Sequence, residues 1–259
     1  MPNLLMLETA FWYLALLLKI VLLYRLWALK LASRYPAFVV YLAVHVARTL
    51  FLMPIRGNRG WYGWAYFFTE PLILITYVFV VMEIHGQILE GYRGLSVLGR
   101  KFVLAASAAS ALITALMHRQ LFAFSAGASK WFHGIMLVES TVYSTLMLFL
   151  LGIALFILWY PVSLRRNLLH YALGFCLFLG LMTAGNYLIN LNFAWNRPLS
   201  TVREGAYFLC LLGWVILFRK SWEVEEAGSP RHFSDSQRQR LLAQLDAMNR
   251  AIQAGQKSI

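Results

Sequence analysis

The sequence predicts an all-α polytopic membrane protein, a seven-transmembrane-helix bundle followed by a short cytoplasmic amphipathic helix. Three observations predict it. Hydrophobic residues fill 60% of the chain and charged ones only 13%, whereas a water-facing globular surface wants about 25 to 35% charge. The apolar residues gather in runs of about 17 to 25, the length that crosses a hydrocarbon core. Tryptophans mark the run ends in two sets, Trp61, Trp64, Trp131 and Trp195 against Trp27, Trp159 and Trp222, as an aromatic belt at each interface requires.

Taken in order, the first run, Leu4 to Tyr24, holds Lys19 and continues into Arg25 without a small-residue cleavage site, so it is expected to act as an uncleaved insertion signal. Arg34-Tyr35-Pro36 opens the second run, Ala37 to Ile55, and the Arg56 to Gly60 stretch separates it from the third, Tyr62 to Met82. Pro54 and Pro71 are read as lying near helix ends, where proline is tolerated best. Gly91-Tyr92-Arg93-Gly94 precedes the fourth run, Phe102 to Met117, the shortest of the seven. Its small residues from Ala105 to Ala111 predict a central packing helix, because small side chains let backbones approach.

The fifth run, His133 to Tyr160, follows Gly127, and Pro161 ends it. Leu168 to Leu191 carries Gly174, Gly180 and Gly185, again suited to close packing, and Asn196-Arg197-Pro198 introduces the last run, Val202 to Phe218. Residues 1–220 thus make the bundle and 221–259 a linker and tail. The linker is polar from Glu223 to Pro230; Ser234 and Gln237 have capping-box spacing, and Leu241, Leu245, Met248 and Ile252 form one apolar stripe.

Lys and Arg counted in alternate connections favour an amino terminus outside and a carboxyl terminus in the cytoplasm of a cell inner (plasma) membrane. Arg25, Lys30, Arg34, Arg93, Arg100, Lys101, Arg165 and Arg166 fall on one side, with Arg219 and Lys220 beside them. The other side has Arg56, Arg59, Arg119, Lys130, Arg197 and Arg203. The formal net charge of +12 is then explained by stop-transfer charges and anionic headgroups, without nucleic-acid binding.

Every run but the fourth contains an ionisable residue, and Glu8, Arg48, Glu70, Glu139 and Glu204 fall in the same outer half, with His45 nearer the middle. Each such group costs roughly 2.5 to 3.5 kcal/mol at a helix centre, so it needs a partner, water or a ligand. At 1.5 Å per residue, Glu70 lies about 13 Å below Trp61, Glu139 about 12 Å below Trp131, and Arg48 about 10 Å from the same face. Arg48 is therefore the natural counter-ion for one carboxylate. Thr183, Asn186 and Asn190 share one helical face in that layer. The expected ligand site is Arg48, Glu70, Glu139, Asn186, Asn190 and His45; the competing reading is that these side chains only glue helices together. Glu83, at the inner end, is expected to pair with Arg25, Arg100 or Lys101.

Several chemistries lack their residues. No lysine stands in the last run for a retinal Schiff base, no aspartate lies in any run for an intramembrane zinc hydrolase, and no Gly-x-Ser-x-Gly elbow occurs. His45, His118 and His133 have no ligand spacing on one helix, so no metal and no other cofactor is assigned. Cys176 and Cys210 are read as packing residues.

Tyr35-Pro36 before the second helix, Thr69-Glu70-Pro71 in the third, and Glu83 through Leu89-Glu90-Gly91-Tyr92 into Leu98-Gly99-Arg100 make the chain resemble a group of bacterial seven-helix membrane proteins. More distantly, it resembles the seven-helix input modules of sensor histidine kinases. The resemblance covers most of Leu4 to Lys220 and implies a receptor-like protein that signals through a separate partner. The expected partners are the lipid bilayer, a small ligand from the outer side, and a protein engaged through Leu241, Leu245, Met248 and Ile252. The alternatives are an accessory or assembly subunit of a larger complex and a proton-linked transporter, the latter without the internal repeat many transporters have. The transporter alternative extends to a proton-linked enzyme that uses the Glu, His and Arg series as a relay, although a protein without enzymatic activity is the expectation.

Overall fold

The computed structural model describes residues 2–55, 57–118, 127–160, 164–191, 196–223, 226–227 and 235–257. These form helices α1 (Pro2–Ala28), α2 (Pro36–Leu52), α3 (Arg59–Ile88), α4 (Arg93–Met117), α5 (Gly127–Trp159), α6 (Arg166–Leu191), α7 (Asn196–Leu217) and α8 (Asp235–Lys257). A short antiparallel pairing joins β1 (Leu164–Arg165) to β2 (Glu226–Ala227), with Leu164 opposite Ala227.

Helices α1 to α7 close a ring in which each packs on the next and α7 returns to α1, while α3 sits inward against α2, α4, α5 and α6. Segments Thr9–Ala28, Gly60–Ile88, Arg93–Met117, Gly134–Trp159, Arg166–Ile189 and Leu199–Leu217 are long and apolar enough to cross a membrane. The chain is therefore a helical, multi-pass membrane protein. Helix α2 is apolar but has 17 residues, about 26 Å at the helical rise, short of a core about 30 Å thick. Leucines such as Leu17, Leu72, Leu148 and Leu177 point outward, where a soluble protein would place polar groups. The interior is aromatic: Phe38, Tyr41, Tyr77, Tyr171, Phe175, Tyr207, Trp214 and Phe218 are all buried.

Local chemistry sets the helix ends. Asn58 caps α3 by accepting from the backbone N–H groups of Gly60 at 3.1 Å and Trp61 at 3.3 Å. Pro36 starts α2 at a position where its missing N–H has no helical partner. Helix α1 stops because Lys30 takes a left-handed φ of 58°, which lets Leu31 N–H reach back to the Leu26 carbonyl at 2.9 Å.

Two sequence expectations are corrected. Pro71 lies inside α3, not near its end; membrane helices accept an interior proline where neighbouring helices and hydroxyls meet the freed backbone. Helix α4 is neither short nor central. It has 25 residues and is the least buried of the six long apolar helices. Ala105, Ala108 and Ala109 are exposed, Ala106, Ser110 and Ala111 are half-buried and Ser107 is buried, so the small residues surround the helix and only one side of them packs. Smallness permits close packing but does not choose the face. Where close approach does occur it uses other glycines: the His85 ring lies over Gly99 and the Arg100 guanidinium over Gly86, locking α3 to α4. Gly174 receives the Trp214 indole and Gly185 the stem of Arg203.

The tail folds back. Helix α8 packs on α4, with Leu245 fully buried and the Asn249 side chain accepting from Gly94 N–H at 2.7 Å. A Cβ on Gly94 would stand 2.9 Å from the Asn249 carbonyl oxygen, so only glycine allows this approach. Met248 remains 40% exposed. Ser234, the expected cap, lies outside the described residues.

Candidate functional site

A cavity of about 380 Å³ opens within the ring, toward the end where α1 begins. Helical spacing aims its charged lining. On α2, His45, Arg48 and Thr49 share a face at intervals of three and four; on α3, Tyr66, Glu70 and Tyr77 recur at four and seven; Glu139 with Tyr143 and Arg203 with Tyr207 are pairs four apart. Lys19 enters from α1 and Glu204 from α7.

Glu70 and Glu139 are 1% and 4% exposed and Lys19 is 5% exposed, so these charges have left bulk water. Arg48 and Glu70 form an ion pair in contact, and the Arg48 guanidinium lies over the Tyr66 ring at 4.5 Å. The Lys19 ammonium stands over the Tyr207 ring at 4.9 Å. Arg203, its stem laid on Gly185, donates to the Asn186 side-chain oxygen. Glu139 lies within electrostatic reach of Glu70, Arg203 and Arg48. Beneath them, the Tyr77 hydroxyl meets His45 Nε2 at 3.2 Å and the Tyr41 and Tyr207 hydroxyls meet at 3.0 Å.

Of the residues the sequence nominates, His45, Arg48, Glu70 and Glu139 line this cavity. Asn186 is fully buried behind it and acts on it through Arg203. Thr183 on the same face keeps a buried hydroxyl without a protein partner. The side chains of Asn190, Glu8 and His133 lie outside the described residues. Sequence reasoning missed Lys19, Arg203 and the tyrosines as lining groups. Arg203 was counted with the loop charges, yet it is four residues before Tyr207 and next to Glu204, a spacing that turns it inward. Lys19 carried a signal too, as the lysine within an apolar run.

The opposite end gathers the same residue types differently. Glu223, in the turn Ser221–Glu223 after α7, accepts from the Tyr35 hydroxyl at 2.8 Å and the Asn167 amide at 3.2 Å. Arg165 approaches it at 3.5 Å and Arg34 at 3.6 Å. Glu90 bridges Arg34 at 2.5 Å and Arg165 at 3.1 Å. Glu83 has Arg100 within electrostatic reach but does not take its hydrogen bonds from Arg25, Arg100 or Lys101. It accepts from Ala37 N–H at 2.6 Å and from the Tyr171 hydroxyl at 3.1 Å, because the first turn of α2 presents a backbone donor that a carboxylate can cap. Arg25 instead donates to the Phe218 carbonyl at 3.0 Å.

An aromatic column joins the two ends. Tyr77 lies 5.4 Å from Tyr41, Tyr41 stacks on Phe38 at 5.9 Å, Phe38 meets Tyr171 at 4.7 Å, and Tyr171 meets Tyr35 at 5.5 Å between ring centroids.

Compared with protein-family models, with curated proteins and with solved structures, the chain matches none. Function rests on the site itself. Among the described residues no three His, Cys, Asp or Glu side chains come together as a metal site, and Cys176 and Cys210 are free thiols. The cavity brings together charges of both signs, phenol hydroxyls, and apolar walls from Met136, Phe178, Met182 and Ile189.

Proposed function

We propose that the chain is a receptor-like or sensory protein of the cell inner membrane. It spans the bilayer seven times, with the amino terminus outside and the tail in the cytoplasm. Helix α2 is the seventh span: it packs between α1 and α3, and its end turn, through Ile55, extends its reach. A small ligand enters from outside, meets His45, Arg48, Glu70 and Glu139, and biases the packing of the ring; Asn186 supports that face through Arg203. The single observation that carries this reading is the chamber of about 380 Å³ lined by three cations and three carboxylates. Ligand pockets run about 300 to 1,000 Å³, and charges held at such depth mark ligand or ion sites more often than packing.

Output requires a state that the ligand prefers. The aromatic column gives the chamber a packed route to Tyr35 and Glu223, and through them to the inner connections and the tail. The signal passes to a separate protein there, with the exposed edge of α8 around Met248 as part of the contact.

Native mass spectrometry of the gently extracted protein tests this. The wild type is expected to retain a small molecule that the Glu70→Gln/Glu139→Gln variant loses. A wild type that flies without one, or a variant carrying the same bound species, would overturn the assignment.

A further inference from the structure

The charge balance of the chamber narrows its ligand, an inference that rests on reading the chamber as a ligand site. Lys19, Arg48 and Arg203 face Glu70, Glu139 and Glu204 around one cavity. Arg48 and Glu70 are already in contact. Of the rest, Lys19 is acted on by Glu204 and Arg203 by Glu139, so each sign retains partners around the open volume.

A ligand with one net charge would leave a charge of like sign uncompensated at this depth, a cost of several kcal/mol. A ligand carrying both signs does not upset the balance: its carboxylate meets Lys19 and Arg203 while its cation meets Glu139 and Glu204. The cation must also donate hydrogen bonds. Two tyrosine faces in the lining already carry the chain's own cations, Arg48 over Tyr66 and Lys19 over Tyr207, so a ligand cation here is held less by these rings than by the carboxylates. Glu139 and Glu204 border the cavity, and a carboxylate oxygen accepts from an N–H donor, which a quaternary ammonium does not supply. Met136, Phe178 and Met182 along the wall suit an apolar body between the two charges.

We infer that the chamber takes a small zwitterion, a primary ammonium and a carboxylate on one compact apolar body, of the amino-acid class. No bond is made or broken in this recognition.

Four matched six-carbon probes test it on the full chain in detergent micelles: 2-aminohexanoate, 6-aminohexanoate, hexylamine and hexanoate, read by calorimetric titration and by thermal midpoint. One of the two amino acids is expected to bind saturably and raise the midpoint, at least tenfold more tightly than either single-charge probe. If 2-aminohexanoate wins, the two charges sit together; if 6-aminohexanoate wins, they sit at opposite walls. Glu204→Gln and Lys19→Met are each expected to weaken that probe at least tenfold, with the variants' unliganded midpoints confirming that they fold. Hexanoate or hexylamine binding as tightly as the amino acids would overturn the zwitterion assignment while leaving a ligand chamber in place. Binding by none of the four would overturn it as well. The chamber itself fails only if the native spectra of wild type and the Glu70→Gln/Glu139→Gln variant also agree.

Discussion

The two ends of this bundle use the same side chains, glutamate, arginine, tyrosine and asparagine, to opposite effect. Where the chain leaves α7, each carboxylate is met at short range: Glu223 by Tyr35, Asn167 and two arginines, and Glu83 by Ala37 N–H and Tyr171. Where the chain enters α1, charges of both signs surround about 380 Å³ of open volume. The first arrangement is a clamp, in which polar groups satisfy one another and fix the connections at that end. The second is a chamber, in which Glu70 is held by Arg48 and Glu139 by Tyr143 while charges of both signs still border open volume. A buried glutamate is therefore glue or site according to what stands in front of it, and residue type does not decide which.

The largest effect comes from the Arg48–Glu70 ion pair in the chamber. Replacing Arg48 with leucine strands Glu70 as an uncompensated buried charge, and the expected loss of stability is about 3 to 5 kcal/mol. The Arg48→Leu/Glu70→Leu double replacement is expected to recover most of it. Reversible unfolding in mixed micelles measures both, and a double variant as unstable as the single one would show that the pair does more than neutralise itself.

At the clamp the expected effects are smaller and depend on pH. Tyr35→Phe removes a hydrogen bond to a carboxylate, worth about 2 kcal/mol at neutral pH. Burial, with Glu223 beside it, holds the Tyr35 phenol above its usual range. In the unfolded chain it ionises near pH 10, so its contribution is intact below that value. Above it the unfolded state releases a proton that the folded state keeps, and stability falls by about 1.4 kcal/mol per pH unit for this group. The variant is expected to lose stability less steeply in alkali, narrowing its deficit. Parallel curves above pH 10 would mean that Tyr35 does not stay protonated.

Much of this architecture was legible beforehand, because lipid imposes long apolar runs and belts that a sequence displays directly. One rise per residue put Arg48, Glu70 and Glu139 at a similar level, and the structure brings all three to one cavity. Direction was not legible. Arg203 read as a loop charge because linear counting ignores the helical phase it shares with Tyr207, and Ala105 to Ala111 read as one packing face though Ala105, Ala108 and Ala109 point outward. Glu83 was assigned arginine partners because backbone donors leave no mark in a list of charges. Glu223 looked like the first residue of a linker; its role as an anchor depends on Tyr35 and Asn167, far away along the chain.

The most direct test of chamber against clamp sets Glu139→Gln beside Glu223→Gln, without ligand, and compares thermal midpoints. Loss of the clamp carboxylate is expected to lower the midpoint by roughly 4 to 8 °C, corresponding to about 2 kcal/mol, while Glu139→Gln leaves it unchanged or raises it, since a site charge is held at the expense of stability. If Glu139→Gln lowers the midpoint as far as Glu223→Gln does, the chamber carboxylate is structural glue and the distinction between the two ends is wrong.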